Sequence, residues 1–281
     1  MMVVDNIKTL KSEIRKAKAL GKSIGFVPTM GYLHEGHISL IKKANEENDF
    51  VVVSIFVNPT QFGPDEDFEK YPRDFERDAA MCRVAGTDLV FHPAPSEMYP
   101  DSYMTYVEVN TITNKLCGAS RPGHFKGVTT IVNKLFNLVE PDKAYFGQKD
   151  AQQVAVIQKM VQDLNMNVQI IPCPIIRESD GLAMSSRNTY LSAQERAAAL
   201  VLSKSLFMAR AAIEAGQTDA SAVKAMIVDN ISKQPLALID YVEIVDAVTL
   251  KDIDSLKGQI LIALAVKFGK TRLIDNLRLE V

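Results

Sequence analysis

Two of the four histidines in the chain stand close together in Pro28-Thr-Met-Gly-Tyr-Leu-His-Glu-Gly-His37. With only Glu35 and Gly36 between them, at the start of a predicted helix, His34 and His37 place two imidazoles and unpaired backbone N–H groups toward one point. Such an arrangement can receive a phosphate and the negative charge that builds during attack on it. Glycine at 31 and 36 removes the side chain that would hold an anion away. The plain alternative is a turn with two surface histidines, and the pairing directly after an apolar strand favours the anion site.

Three further segments carry groups suited to the same kind of ligand. In Phe56-Val-Asn-Pro-Thr-Gln-Phe62, Asn58 and Gln61 can hydrogen-bond a hydroxylated substrate without adding charge, although an Asn-Pro turn with an exposed Gln reads equally well. Tyr145-Phe-Gly-Gln-Lys-Asp-Ala-Gln-Gln153 opens a helix after another strand, and Lys149 offers a point charge for phosphate oxygens. Arg177-Glu-Ser-Asp-Gly-Leu-Ala-Met-Ser-Ser-Arg-Asn188 supplies hydroxyls, backbone donors and a cationic fork. Its small residues suggest a mobile loop able to close over a triphosphate.

The elements that must position these groups follow from apolar periodicity. Helices are predicted over 7–20, 38–47, 74–85, 128–139 and 151–164, and strands over 24–27, 50–57, 88–91, 103–109, 143–146 and 168–171. Several of these strands are apolar at nearly every position, as strands buried on both faces of a parallel sheet are. Their alternation with helices predicts an α/β, doubly wound, Rossmann-like parallel sheet, whose carboxyl edge binds ligands. The pattern changes near residue 177. Ser192-Ala-Gln-Glu195 is a capping-box signature that should open one long helix to 215, followed by a helix over 220–232. Alternation in 241–246 and 258–266 suggests antiparallel strands, hence a smaller α+β domain. The expected division is 1–176 and 177–281.

Composition limits the partners. The 281 residues carry 32 Lys and Arg against 34 Asp and Glu, a formal net charge of −2, which argues against a nucleic-acid backbone as main partner. Cys82, Cys117 and Cys173 show no metal or redox spacing, so buried thiols in a reducing compartment are expected. No run approaches the roughly 18 apolar residues of a membrane span, and the first residues lack a signal-peptide pattern. A soluble cytoplasmic protein without membrane contact is the expectation. Phe268-Gly-Lys-Thr271 ends like a P-loop, but Leu264 occupies the position of the required glycine. His92, at a strand end among prolines, reads as structural. His124 reads equally as packing or as a ligand contact.

The four segments, together with Tyr71-Pro-Arg73 and Arg121-Pro-Gly-His-Phe-Lys-Gly127, form a set that resembles the pantothenate synthetase (pantoate–β-alanine ligase) family of the nucleotidylyltransferase superfamily. The resemblance runs through both predicted domains in order. It implies adenylation of (R)-pantoate by ATP, then attack of β-alanine on the pantoyl adenylate to give pantothenate, AMP and pyrophosphate. It assigns ATP to Met30, Gly31, Tyr32, Leu33, His34, Glu35, Gly36 and His37, to Gly147, Gln148, Lys149 and Asp150, to Ile176, and to Met184, Ser185, Ser186 and Arg187. His37, as proton donor or charge stabiliser, with His34, Lys149 and Arg187, would be catalytic. Gln61 and Gln153 would bind pantoate, with Gln61 also near β-alanine, and Asp78 would hold Mg²⁺. The resemblance further implies a homodimer, with 1–176 binding ATP and pantoate and 177–281 as a lid. Two other readings are weighed against it: a nucleotidyltransferase with another acceptor, and a nucleotide-binding module without activity.

Overall fold

The computed structural model describes residues 1–64 and 66–281, which divide into two compact units. The first comprises 1–110, 121–148 and 153–174; the second comprises 111–120, 149–152 and 175–281. The excursions 111–120 and 149–152 are not described by one boundary between 176 and 177.

The first unit is built on β1 (Met2–Val4), α1 (Ile7–Ala19), β2 (Ile24–Thr29), α2 (Glu35–Glu47), β3 (Phe50–Ile55), α3 (Phe75–Val84), β4 (Leu89–Phe91), α4 (Pro95–Met98) and, past the α5 excursion (Leu116–Ser120), α6 (His124–Val139), β5 (Lys143–Gly147), α7 (Ala151–Asp163) and β6 (Gln169–Cys173). The six strands form one parallel sheet in the order β1-β4-β3-β2-β5-β6. Phe26, Val27, Val51 to Val53, Leu89 to Phe91, Ala144 and Tyr145 are all fully buried, which is why these strands read as unbroken apolar runs. Chain order reverses between β2 and β5, so the loop after β2 lies at the sheet's switch point, the ligand crevice of such folds.

Two predicted elements differ. β2 runs through Pro28, where the sequence suggested a stop. β5 pairs with β2 only at Gly25 and Phe26, so beyond them β2 has a partner on one side and tolerates proline. The expected strand at 103–109 is absent. Its Val107 N–H donates to Thr130 Oγ1 at 3.0 Å, and its carbonyl accepts from Thr129 Oγ1 at 2.6 Å. Two hydroxyls of α6 thus replace a strand neighbour.

The second unit packs α8 (Ala193–Ala198), α9 (Val201–Glu214) and α10 (Ala220–Ser232) with the antiparallel sheet of β7 (Ala237–Asp246), β8 (Gln259–Phe268) and β9 (Thr271–Glu280). Leu202, Leu206, Val223, Ile227, Ile262 and Leu264 sit at the centre of its core. The expected long helix over 192–215 is broken at Ala199-Leu200 into α8 and α9. The 268–271 tetrapeptide spans the β8–β9 turn, where Gly269 takes φ 58°, and so is no phosphate loop. No helix among the described residues is long and apolar enough to cross a membrane.

Candidate active site

The loop leaving β2 turns sharply, with Gly31 at φ 82° and Tyr32 at φ 49°. A non-glycine residue in the left-handed region needs outside support. Asp78 of α3 supplies it, accepting from Tyr32 N–H and Leu33 N–H at 2.7 Å each, one amide on each carboxylate oxygen. The fit is close: a Cβ on Gly31 would stand 2.9 Å from Asp78 Oδ2. Arg77 lays its guanidinium over the Tyr32 ring at 5.1 Å. Asp78 is 1% exposed, and burial pushes its carboxyl above the ordinary carboxylate range against the pull of the two amides. Both oxygens already serve the loop, and no group of three His, Cys, Asp or Glu among the described residues could hold a metal ion. The described residues thus offer no protein cage of three such ligands, and a magnesium at Asp78 would draw its other ligands from water and phosphate oxygens.

α2 begins at Glu35, three residues before the predicted start, because His34 caps it. His34 Nδ1 accepts from Gly36 N–H at 3.2 Å, and His37 Nδ1 accepts from His34 N–H at 3.3 Å, a capping box made of two imidazoles. Two expected backbone donors are therefore taken by the histidines themselves. The consequence is chemical. A ring nitrogen that accepts an N–H bears no proton, so in both neutral imidazoles the proton sits on Nε2. The half-buried rings stand 4.1 Å apart, so two Nε2–H donors are carried side by side at a helix N-terminus.

After β3, the 3₁₀ turn Pro59–Gln61 carries Gln61 with its side chain buried. Asn58 Nδ2 donates to Gln61 Oε1 at 3.0 Å, and Gln61 Nε2 donates to Met30 Sδ at 3.0 Å. The ATP-assigned Met30 and the pantoate-assigned Gln61 are thus in contact. A thioether is a weak acceptor, so a substrate oxygen would be a better partner for that amide. Gly147 ends β5 with open space around it, Gln148 follows, and the half-buried Gln153 lies on the first turn of α7.

In the second unit, Lys149 is half-buried, and its carbonyl accepts from Asn276 Nδ2 at 2.8 Å; Asp150 beside it is also half-buried. The segment from Arg177 to Ala183 is a braced hairpin, not the loose loop expected. Arg177 forms a bidentate pair with buried Asp275 at 2.7 and 3.0 Å. Arg196 ties down Glu178 and Asp180 at 2.6 and 2.8 Å. At the hairpin's base, the Ile176 carbonyl accepts from Met184 N–H at 3.0 Å. Ser185 then caps a 3₁₀ turn, Ser186–Tyr190, by accepting from Arg187 N–H, with Ser186 buried and Arg187 half-buried. Lys149, Ser185, Asn188 and Asp275 line one crevice of this unit.

Sequence reasoning missed the loop-holding role of Asp78 and the partners of Gln61, since both depend on contacts between residues far apart in sequence.

Fold and site together define a class: a doubly wound α/β protein with a paired-histidine helix N-terminus at its switch point. Comparison narrows it. The family model described as pantoate-beta-alanine ligase matches residues 2–278, and the chain belongs to the pantoate–β-alanine ligase family. A pantothenate synthetase of Acetivibrio thermocellus is 63% identical over the full length of both chains, and one of Pelotomaculum thermopropionicum is 57% identical over 98% of each. The crystal structure of pantothenate synthetase from Thermus thermophilus superposes with a TM-score of 0.95 at 44% identity, covering 99% of each chain. The Francisella tularensis enzyme, solved with β,γ-ATP and β-alanine, gives 0.80 at 39% identity over 99% of this chain and 97% of that one.

Proposed function

We propose that the chain joins pantoate to β-alanine at the expense of ATP. A pantoate carboxylate oxygen attacks the α-phosphorus, the bond to the β-phosphate oxygen breaks, and pyrophosphate leaves. The β-alanine amine then attacks the acyl carbon of the adenylate, loses a proton, and AMP departs. A carboxylate does not react with an amine at neutral pH, whereas a mixed anhydride with AMP has a good leaving group. No enzyme nucleophile is needed.

The observation that carries this reading is the pair of Nε2–H donors fixed by the His34–His37 capping box. Donors held in place before the reaction stabilise charge building on the α-phosphate without reorganising. In this reading the residues from Met30 to His37 line the ATP site with Gly147 to Asp150, Ile176 and Met184 to Arg187. Lys149 and Arg187 meet the phosphate charge, while Gln61 and Gln153 hold pantoate, Gln61 also lying near β-alanine. A Mg²⁺ ion bound to the triphosphate would neutralise part of its charge, since magnesium keeps waters and phosphate oxygens as its main ligands. The active form is a cytoplasmic homodimer; the half-buried Cys117 and the buried Cys82 and Cys173, all free, suit a reducing compartment.

The test is AMP release with ATP, pantoate and β-alanine, each omitted in turn, alongside pyrophosphate exchange. Exchange that requires pantoate, and AMP release that requires all three, are expected. Exchange driven by another acid would point to a different acceptor, and ATP binding without AMP release would point to a module without activity. Sedimentation of the purified chain reads the dimer.

A further inference from the structure

The motif Arg121-Pro-Gly-His124 has no role in the reaction as set out above, yet it converges on one atom, the main-chain carbonyl oxygen of Gln61. His124 Nδ1 lies 2.8 Å from that oxygen and Arg121 Nη2 donates to it at 3.3 Å. Arg121 also faces His124 Nε2 through Nη1 at 3.1 Å, and its Nε and Nη2 grip the Glu66 carboxylate at 2.7 and 2.5 Å. The tautomer follows from these partners. A guanidinium only donates, so His124 Nε2 accepts and Nδ1 carries the proton to the Gln61 carbonyl. The relay runs Glu66, Arg121, His124, Gln61, each donor matched to an acceptor.

Backbone packing holds the same turn from the other side. A Cβ on Gly127 would overlap the Thr60 carbonyl and stand 2.6 Å from Gln61 Cα, so α6 seats directly on the 3₁₀ turn. The Gly127 carbonyl in turn accepts from Asn58 Nδ2 at 3.1 Å, and that same nitrogen donates to the Gln61 side chain. A turn of three residues has little hydrogen bonding of its own to fix it.

We propose that Arg121 and His124, anchored by Glu66, are positioning residues that set the pose of Gln61 and so tune the affinity for the acid substrate without touching it. This rests on the reading of Gln61 as a pantoate contact. A side chain that must meet a substrate oxygen within hydrogen-bond tolerance loses that contact when its backbone drifts by a fraction of an ångström.

The experiment measures KM for pantoate and for ATP in pantoate-dependent pyrophosphate exchange, with melting temperature recorded for every variant. His124→Phe, which keeps an aromatic ring but has no donor, is expected to raise the pantoate KM about tenfold, roughly the worth of one well-placed hydrogen bond. The ATP KM should move less than about twofold, and His124→Asn, which retains a donor near the Nδ1 position, should recover most of the loss. Arg121→Lys carries the same test if His124→Phe does not fold. In a Gln61→Ala background the His124 effect should vanish, because the two act through one group. An unchanged pantoate KM in His124→Phe while Gln61→Ala raises it would overturn the inference alone, as would equal rises for both substrates or an undiminished His124 effect in the Gln61→Ala background. A Gln61→Ala enzyme with the normal pantoate KM would overturn the reading of Gln61 itself, and the clamp with it.

Discussion

In the proposed reaction each imidazole of the histidine pair does two jobs on its two nitrogens. Nδ1 closes the first turn of α2 and Nε2 presents a proton, so one substitution can separate folding from chemistry. His37→Ala removes both and should cost about 10²–10³ in adenylation rate together with a cap worth ~1 kcal/mol. His37→Asn offers an oxygen where Nδ1 was and has no counterpart to Nε2–H. It should lose rate to a similar extent while keeping more of the melting temperature, as single-turnover adenylation and thermal unfolding would read. Asp78 gives a second residue-level expectation. Asp78→Asn sets an NH₂ group against one of two backbone N–H donors. A buried donor without an acceptor costs ~1–3 kcal/mol, so melting temperature should fall and the ATP KM should rise as the Met30–His37 loop relaxes. Titration calorimetry with a non-hydrolysable ATP analogue checks the second part.

Elements fix where such residues stand, and here the hairpin after β6 is the most exposed to test. Arg177 supplies the cation that faces the Asp275 carboxylate, a side chain only 1% exposed. Arg177→Ala leaves a buried carboxylate uncompensated and should destabilise by ~3–5 kcal/mol, whereas Arg177→Leu with Asp275→Leu should cost much less. Denaturant midpoints of the two variants decide it. The same scale shows what the sequence could disclose. Strands such as 50–55 were legible because burial on both faces writes an apolar residue at almost every position. The histidine loop was legible because strand, glycine and paired histidines are adjacent in the chain. The break at Ala199-Leu200 was not, because alanine and leucine favour helix and only packing interrupts it. Nor was the empty strand at 103–109, whose alternation satisfies the local rule while Thr129 and Thr130 take its Val107 hydrogen bonds. Asp78 and Arg121 act on residues 45 and more positions away, beyond any local pattern.

Across the whole molecule, the acid response of stability carries a signature of the Gln61 support. Burial pushes the Glu66 carboxyl up, but the two hydrogen bonds and the charge of Arg121 outweigh it and hold the group below the ordinary range. A lowered folded pKa means stability that is present above the unfolded carboxylate value near ~4.3 and lost as pH falls through the lower folded value. Wild type should therefore melt above Glu66→Gln at pH 7, and the gap should close as pH drops below about 4, read by thermal scans across that range.

The two units share the polypeptide in an interleaved way, with junctions at 110/111, 120/121, 148/149, 152/153 and 174/175. A single crossover therefore cannot trade either unit intact. A chimera joined at 174/175 therefore carries a second unit of mixed parentage, because 111–120 and 149–152 come from the other parent.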